Sequence, residues 1–291
     1  MINGTPLHDR YGLRIDDLNL ARLTDDGFSD LRAAFEEHSV LYFPGQTLTD
    51  ADHIALAHRF GPLENRDAKD LAADATFKVP EVSNLRDDGT VTGEMDMRTL
   101  QLKANMLWHA DSTFLPIPAL ANILIARIVT KTGGATELAS TRAGWSDMPE
   151  DLKARVRDKA FWHHYAHSRS KISPELAAQK MFNEWPEQLW RAIWRNPVNG
   201  TEALYVASHA YAVEGLEKDE GTALIDAVTQ FVTQPQYVYR HQWKAGDVLI
   251  WDQRAVLHRA TPWNYDEPRK LTSICVSASD QDGLTHMRLT Q

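Results

Sequence analysis

The chain has 291 residues, 43% of them hydrophobic and 24% charged, which is a globular balance with enough apolar residues for a substantial core. A formal charge of −9 with no lysine- or arginine-rich block argues against nucleic acid as a main partner, because phosphate binding needs clustered cations. A single cysteine, Cys275, excludes an intramolecular disulfide, the N-terminus lacks the basic and apolar regions of a signal peptide, and no apolar run approaches the ~18 residues of a membrane span; the expectation is a soluble cytoplasmic protein with no membrane partner.

Taken in chain order, F-S-D-L-R-A-A-F-E-E-H (28–38) carries Phe28, Leu31, Ala34 and Phe35 at helical spacing. S-V-L-Y-F-P-G (39–45) reads as a short strand closed by Pro-Gly, and T-D-A-D-H-I-A-L-A-H-R-F-G (49–61) as a capped helix ended by glycine. Residues 63–101 hold scattered charges and few apolar residues, which predicts a long loop of the lid or binding type with one strand around V-P-E-V-S-N. L-A-N-I-L-I-A-R-I-V (120–129) predicts a buried strand. G-G-A-T-E-L-A-S (133–140) is a turn into another strand, and P-E-D-L-K-A-R-V (149–156) begins a helix. Residues 160–220 show less clear periodicity, with a helix predicted near 216–234. P-Q-Y-V-Y-R-H-Q-W (235–243), V-L-I-W-D (248–252) and K-L-T-S-I-C-V-S (270–277) are strands, with K-A-G-D a turn. Strands dominate and helices surround them: a mainly β sandwich or open barrel with helical decoration.

The segment L-W-H-A-D-S-T-F (107–114) carries the chemistry. On a strand, residues i and i+2 face the same side, so His109 and Asp111 aim an imidazole and a carboxylate at one point while Trp108 and Ala110 face away. A divalent first-row metal held by two histidines and one carboxylate, with positions left open, is the facial triad of non-haem iron oxygenases. The third ligand should be a distant histidine, and His258, after V-L-I-W-D-Q-R-A-V-L, is the candidate. Arg269 follows eleven residues later. A 2-oxoglutarate co-substrate needs a fixed bidentate cation for its far carboxylate, and Thr136 could add a hydroxyl donor there. His-x-Asp by itself is more often a hydrogen-bonded pair; the ordered distal residues make the metal reading specific. The rival is a zinc or manganese hydrolase on the same His-Asp-His site, which needs a general base beside the metal and leaves Arg269 and Thr136 without purpose. A non-catalytic binding protein is disfavoured by an intact triad, and a halogenase by the presence of Asp111.

W-H-A-D-S-T-F, G-G-A-T-E, W-D-Q-R-A-V-L-H-R-A-T-P-W and P-R-K in this order, with H-S-V-L-Y-F-P-G-Q-T-L-T and R-F-G-P-L-E before them, resemble the taurine dioxygenase / 2,4-dichlorophenoxyacetate dioxygenase family over roughly residues 10 to 280. The resemblance implies a double-stranded β-helix (jelly roll) in one domain spanning 1–291, with 63–101 as a lid insertion. It implies an oxygenase that takes Fe(II), 2-oxoglutarate and O2, releases succinate and CO2, and hydroxylates a small anionic substrate, which cleaves if the hydroxylated carbon bears an ether oxygen, an amine or a sulfonate. Position by position it implies His109, Asp111 and His258 as iron ligands, Thr136 and Arg269 on the far carboxylate of 2-oxoglutarate, and Trp251 lining that pocket. Asn105 and Lys103 fall where substrate-side polar groups stand, and Tyr165, His167 and Arg169 fall in a substrate-covering segment. A homo-oligomer, dimer or tetramer, is the expectation by resemblance. Where several members carry a further arginine for a sulfonate or carboxylate, this chain has K-L-T-S-I-C-V with only Lys270, which argues against taurine and simple phenoxyacids.

Other residues take plainer readings. His163, His164 and His167 lack the paired spacing of a zinc site. Trp145, Trp190 and Trp194 are core or interface aromatics, Cys275 is a small buried hydrophobe, and Asp252 and Arg254 pair or support His258 from outside.

Overall fold

A computed structural model describes residues 2–64 and 77–289. From the N-terminus come β1 (Thr5–Pro6), β2 (Leu13–Arg14), α1 (Asp25–His38), β3 (Val40–Phe43), α2 (Asp50–Phe60), β4 (Glu81–Ser83), α3 (Met97–Ala104), β5 (Ala119–Ile128) and β6 (Thr136–Ser140). Then follow α4 (Thr141–Asp147), α5 (Glu150–Val156), β7 (Ala160–His163), α6 (Tyr165–Ser170), α7 (Pro174–Ala177), β8 (Gln188–Arg191), β9 (Ile193–Arg195), β10 (Glu202–Leu204) and β11 (Ala210–Val213). The chain ends with α8 (Lys218–Val232), β12 (Val238–His241), β13 (Val248–Asp252), β14 (Val256–Ala260), β15 (Lys270–Ser277) and α9 (Leu284–Met287).

Local chemistry sets the helix ends. The Thr24 hydroxyl accepts from the Gly27 N–H to open α1, which closes on Ser39 in the left-handed region at φ 62°. Thr49 and Asp52 form a reciprocal capping box on α2. The strands predicted at 248–252 and 270–277 form as read, and the one at 235–243 shortens to β12 behind a 3-10 turn over Pro235–Tyr237. Within 63–101, β4 forms near the expected place, but α3 also forms, capped by Asp96, where a loop was predicted. Part of the predicted lid, 65–76, lies outside the described residues.

Two sheets frame the site. One has seven strands in the order β1-β2-β3-β13-β5-β15-β4; the other has three, β12-β6-β14. Their inner faces share one apolar layer that includes Leu124, Leu249, Trp251 and Leu271 from the large sheet and Leu138 and Val256 from the small one. Alternation then sorts every neighbour: Leu138 is inward with its cross-strand partner His258, while Ala139 and Leu257 face outward into a second cluster with α4 and α8. The outer face of the large sheet is covered by α1, α2 and α9 through Phe35, Leu56 and Met287. Each fully buried Leu, Ile or Phe in these layers contributes about 1.5–3 kcal/mol. Trp145, Trp190 and Trp194 are buried, as read from the sequence.

Candidate metal centre

His109 and Asp111 do not lie on a strand, contrary to the sequence reading. His109 forms a single bridge with His258, and the chain then turns at Ser112, with φ 62°. The bridge is nonetheless what builds the site. The His109 N–H donates to the His258 carbonyl at 3.0 Å and the His258 N–H to the His109 carbonyl at 2.8 Å, so two histidines 149 positions apart sit directly opposite, ring centroids 4.1 Å apart. Trp108 and Ala110 face the opposite side, into the cluster under α4 and α8, as alternation predicted. Asp111 completes the group: Oδ1 stands 3.8 Å from Nε2 of His109 and Oδ2 3.5 Å from Nε2 of His258. Among the described residues, His109, Asp111 and His258 are the group able to hold a metal ion, their ligand atoms all within 4.8 Å of one another.

The protonation states suit a cation. Burial lowers the pKa of both imidazoles, that of His258 to about 3, outweighing the nearby carboxylate, so both rings are neutral at neutral pH. His109 Nδ1 lies 2.7 Å from the Leu107 carbonyl, which can only accept; Nδ1 therefore carries the hydrogen and Nε2 presents its lone pair to the metal position. His258 Nδ1 has no partner among the described residues, and its ring packs against Trp251 at 4.6 Å.

A cavity of about 580 Å³ opens beside His109 and Asp111. Its aromatic wall is Phe77, Phe114, Tyr165 and Phe182, with Tyr165 stacked on Phe114 at 3.7 Å. Arg169 lies over the Tyr165 ring at 4.4 Å, its Nη2 donating to the Tyr165 hydroxyl at 3.2 Å, and it is buried against this wall. Asn105 lines the cavity, and its carbonyl accepts from the Ala260 N–H at 2.8 Å, tying α3 to β14. Lys103 stands elsewhere, paired with Glu94 at 2.8 Å and over the Tyr265 ring. Lys270 likewise pairs with Glu81. His167 lines a separate surface cleft, and His163 is buried against Thr113. Cys275 is not a core hydrophobe as read: it is half-buried, lines the cavity, and its Sγ is 3.7 Å from Asp111 Oδ2.

Trp251 lies in the inner layer between the sheets, Thr136 is two residues before Leu138 on β6, and Arg269 stands just before β15. Thr136 stands opposite Ala260, two residues past His258, and its hydroxyl accepts from Trp243 Nε1 at 2.9 Å. Trp251 is fully buried, and its Nε1 has no acceptor among the described residues. Arg269 is buried, stacked on Trp263 at 5.0 Å, and donates to the Gly134 carbonyl at 3.3 Å. Burial alone lowers its pKa, to about 10, so it remains a cation. Among the described residues no carboxylate stands within ion-pair distance of Arg269.

Sequence reading missed the residues that hold Asp111. Gln253 Nε2 donates to Oδ2 at 2.6 Å and Asn122 Nδ2 to the same oxygen at 2.7 Å. The available signal for Asn122 was a lone amide in the apolar run A-L-A-N-I-L-I; for Gln253 there was none beyond its place between Asp252 and Arg254. Those two neighbours do pair, at 2.8 Å, but in a buried network with Glu36 rather than beside His258. His209 was also missed: it lines the cavity, and Thr113 Oγ1 bridges its Nδ1 and that of His163 at 3.1 and 3.0 Å.

The family model described as "Taurine catabolism dioxygenase TauD, TfdA family" matches residues 3–275. The (S)-phenoxypropionate/alpha-ketoglutarate-dioxygenase of Sphingobium herbicidovorans is 36% identical over 272 residues, covering 91% of each chain. The alpha-ketoglutarate-dependent 2,4-dichlorophenoxyacetate dioxygenase of a Burkholderia species is 34% identical over 275 residues, covering 93% of this chain and 92% of that one. Among solved structures, that of AAD-2 in complex with Mn(II) and N-oxalylglycine is similar with a TM-score of 0.88 and 30% identity, covering 96% of this chain and 98% of that one.

Proposed function

The chain belongs to the taurine catabolism dioxygenase TauD, TfdA family, and we propose that it is an Fe(II)- and 2-oxoglutarate-dependent dioxygenase that hydroxylates a small carboxylate with an aromatic body. The observation that carries this reading is the convergence of His109, Asp111 and His258: two neutral imidazoles and one carboxylate suit a divalent first-row metal that keeps positions open. Iron held there, with 2-oxoglutarate (alpha-ketoglutarate) and O2, supplies the oxidising power for C–H hydroxylation with release of succinate and CO2.

The chain's residues bind, orient and exclude water. His109, Asp111 and His258 hold the metal. Arg269, a buried cation with no carboxylate partner among the described residues, takes the far carboxylate of 2-oxoglutarate, with Thr136 adding a hydroxyl and Trp251 walling the pocket. The aromatic wall of the cavity places an apolar ring, and Arg169 and Asn105 face its polar end. The substrate cation thus comes from α6 instead of from the stretch after Arg269, where the sequence lacks the usual arginine. This brings aryloxy acids back as substrates; Tyr165, held between Phe114 and Arg169, is part of the wall against the ring, and Lys103 stays paired with Glu94. Hydroxylation beside an ether oxygen cleaves the product. The two facing sheets are read as a double-stranded β-helix forming one domain over 1–291, with 63–101 as its lid. The protein is read as a cytoplasmic homo-oligomer acting on small molecules.

The test is an anaerobic titration of metal-free protein with Fe(II) and 2-oxoglutarate, following the visible charge-transfer band of the chelate. A band that is lost in His258→Ala and needs more 2-oxoglutarate in Arg269→Ala is the expected result. No band, with tight zinc binding instead, overturns the reading in favour of a hydrolase.

A further inference from the structure

Asp111 is gripped on one oxygen by two amides whose orientations are fixed by their other partners. The Asp111 N–H donates to Gln253 Oε1 at 3.0 Å, which identifies that atom as the oxygen and turns Nε2 towards Oδ2, 2.6 Å away. The Ser273 hydroxyl donates to Asn122 Oδ1 at 3.0 Å, which in the same way turns Nδ2 to Oδ2 at 2.7 Å. Both amides are buried, so water does not compete for these bonds. Their backbones are pinned as well. Asn122 is paired with Trp251 on one side and Cys275 on the other, in the middle of β5. The Gln253 N–H donates to the Leu120 carbonyl at 2.9 Å, and its two neighbours are locked in the buried ion network with Glu36.

We propose that Gln253 and Asn122 are positioning residues that keep Asp111 a one-oxygen ligand, so that the metal retains the open positions the reaction needs. A carboxylate free to rotate can bind a metal through both oxygens and occupy one position more. Two short amide donors converging on Oδ2 oppose that rotation, and the Gln253 bridge to the Asp111 backbone fixes the side chain at its root. Gln253 is therefore both the donor to the ligand and the acceptor that sets the turn after His109. The inference rests on the metal and co-substrate reading above.

The test uses the full chain in three forms: unaltered, Gln253→Met and Asn122→Ser. Each is titrated anaerobically with Fe(II) and then 2-oxoglutarate, with thermal unfolding of the metal-free proteins in parallel. The expected result is Fe(II) affinity weakened about 10- to 100-fold in each variant, with a chelate band that is shifted or needs more 2-oxoglutarate. 2-Oxoglutarate should also be consumed without matching substrate hydroxylation. Unchanged affinity and an unchanged band in folded variants overturn the inference while leaving the oxygenase reading intact; absence of the band in the unaltered protein sinks that reading itself. A crystal structure of the unaltered protein with Mn(II) decides the matter if a variant fails to fold. Oδ2 still on both amides, with one oxygen on the metal, supports the inference; two oxygens on the metal, or a displaced Gln253 amide, overturns it.

Discussion

A guanidinium buried away from every carboxylate loses hydration that nothing in the fold returns. Arg269 is in that position among the described residues, with only the Gly134 carbonyl and the Trp263 face as company. Replacing it strands no buried anion. Arg269→Leu should therefore leave the Tm of the metal-free protein unchanged or higher, while the 2-oxoglutarate concentration for half-saturation rises about 10- to 100-fold, from loss of a charge-assisted bond worth about 1.5–3 kcal/mol. A fall in Tm without any change in 2-oxoglutarate dependence would assign Arg269 to the scaffold. The sequence pointed to this arginine and to the candidate metal-binding trio because ligand chemistry restricts residue type. Gln253 and Asn122 stayed hidden because an amide donor to a carboxylate can come from any element, and only the packed chain shows which one arrives.

At the scale of elements, the turn between β5 and β6 is set by Gly133 at φ +73°, where an added Cβ would meet the Pro262 carbonyl oxygen at 2.4 Å. Gly133→Ala should cost about 2–4 kcal/mol from left-handed strain and the clash, seen as a drop in Tm. It should also weaken 2-oxoglutarate binding, since the same turn carries the Gly134 carbonyl that holds Arg269. In α2, His53 is buried with its Nε2 on the Ile123 carbonyl, and burial lowers its pKa from 6.5 to about 4; buried His163 in β7 is lowered to about 3. The unfolded chain protonates these rings below about pH 6.5 and the folded chain does not, so the unfolded state binds more protons between these values. Stability is fully present above pH 6.5 and falls as the pH drops, by up to about 1.4 kcal/mol per pH unit for each ring. The Tm measured from pH 7 to 4.5 should decline, and His53→Gln should show a shallower slope over that window; an identical slope would remove His53 from the acid response. Of the elements, α1, α2, β13 and β15 were legible because periodicity, a capping box or an apolar run marks them. The helix α3 was not, since its polar face and short length look like a charged loop until Leu102 and Ala104 find their cover.

For the molecule as a whole, Arg254 ties distant parts together. It bonds Asp252 at 2.8 Å at the end of β13 and Glu36 at 2.5 Å on α1; Arg32 extends the network from Glu36 to Asp282, and Arg142 approaches Asp252 at 3.7 Å. Arg254→Met leaves Glu36 and Asp252 buried with one cation fewer and should cost about 3–5 kcal/mol, lowering the Tm by about 10 °C. Because the network is buried, 0.5 M salt should not change that difference. A salt-sensitive loss would instead mean that the ions are reached by solvent.

The sequence by itself determined the types of the candidate ligands, their order, the spacing from His258 to Arg269 and the strands with continuous apolar runs, because those depend on residue chemistry and local periodicity. The tertiary structure alone decided that His109 and His258 meet in a single bridge, that Lys103 and Lys270 are taken up by Glu94 and Glu81, that Arg169 reaches the cavity from α6, and that two amides hold Asp111. Those outcomes depend on which elements pack together: His109 with His258, Asp111 with Gln253 and Lys270 with Glu81 are each more than a hundred positions apart, and even the nearer pairs, Lys103 with Glu94 and Asp111 with Asn122, leave no periodic trace in the chain.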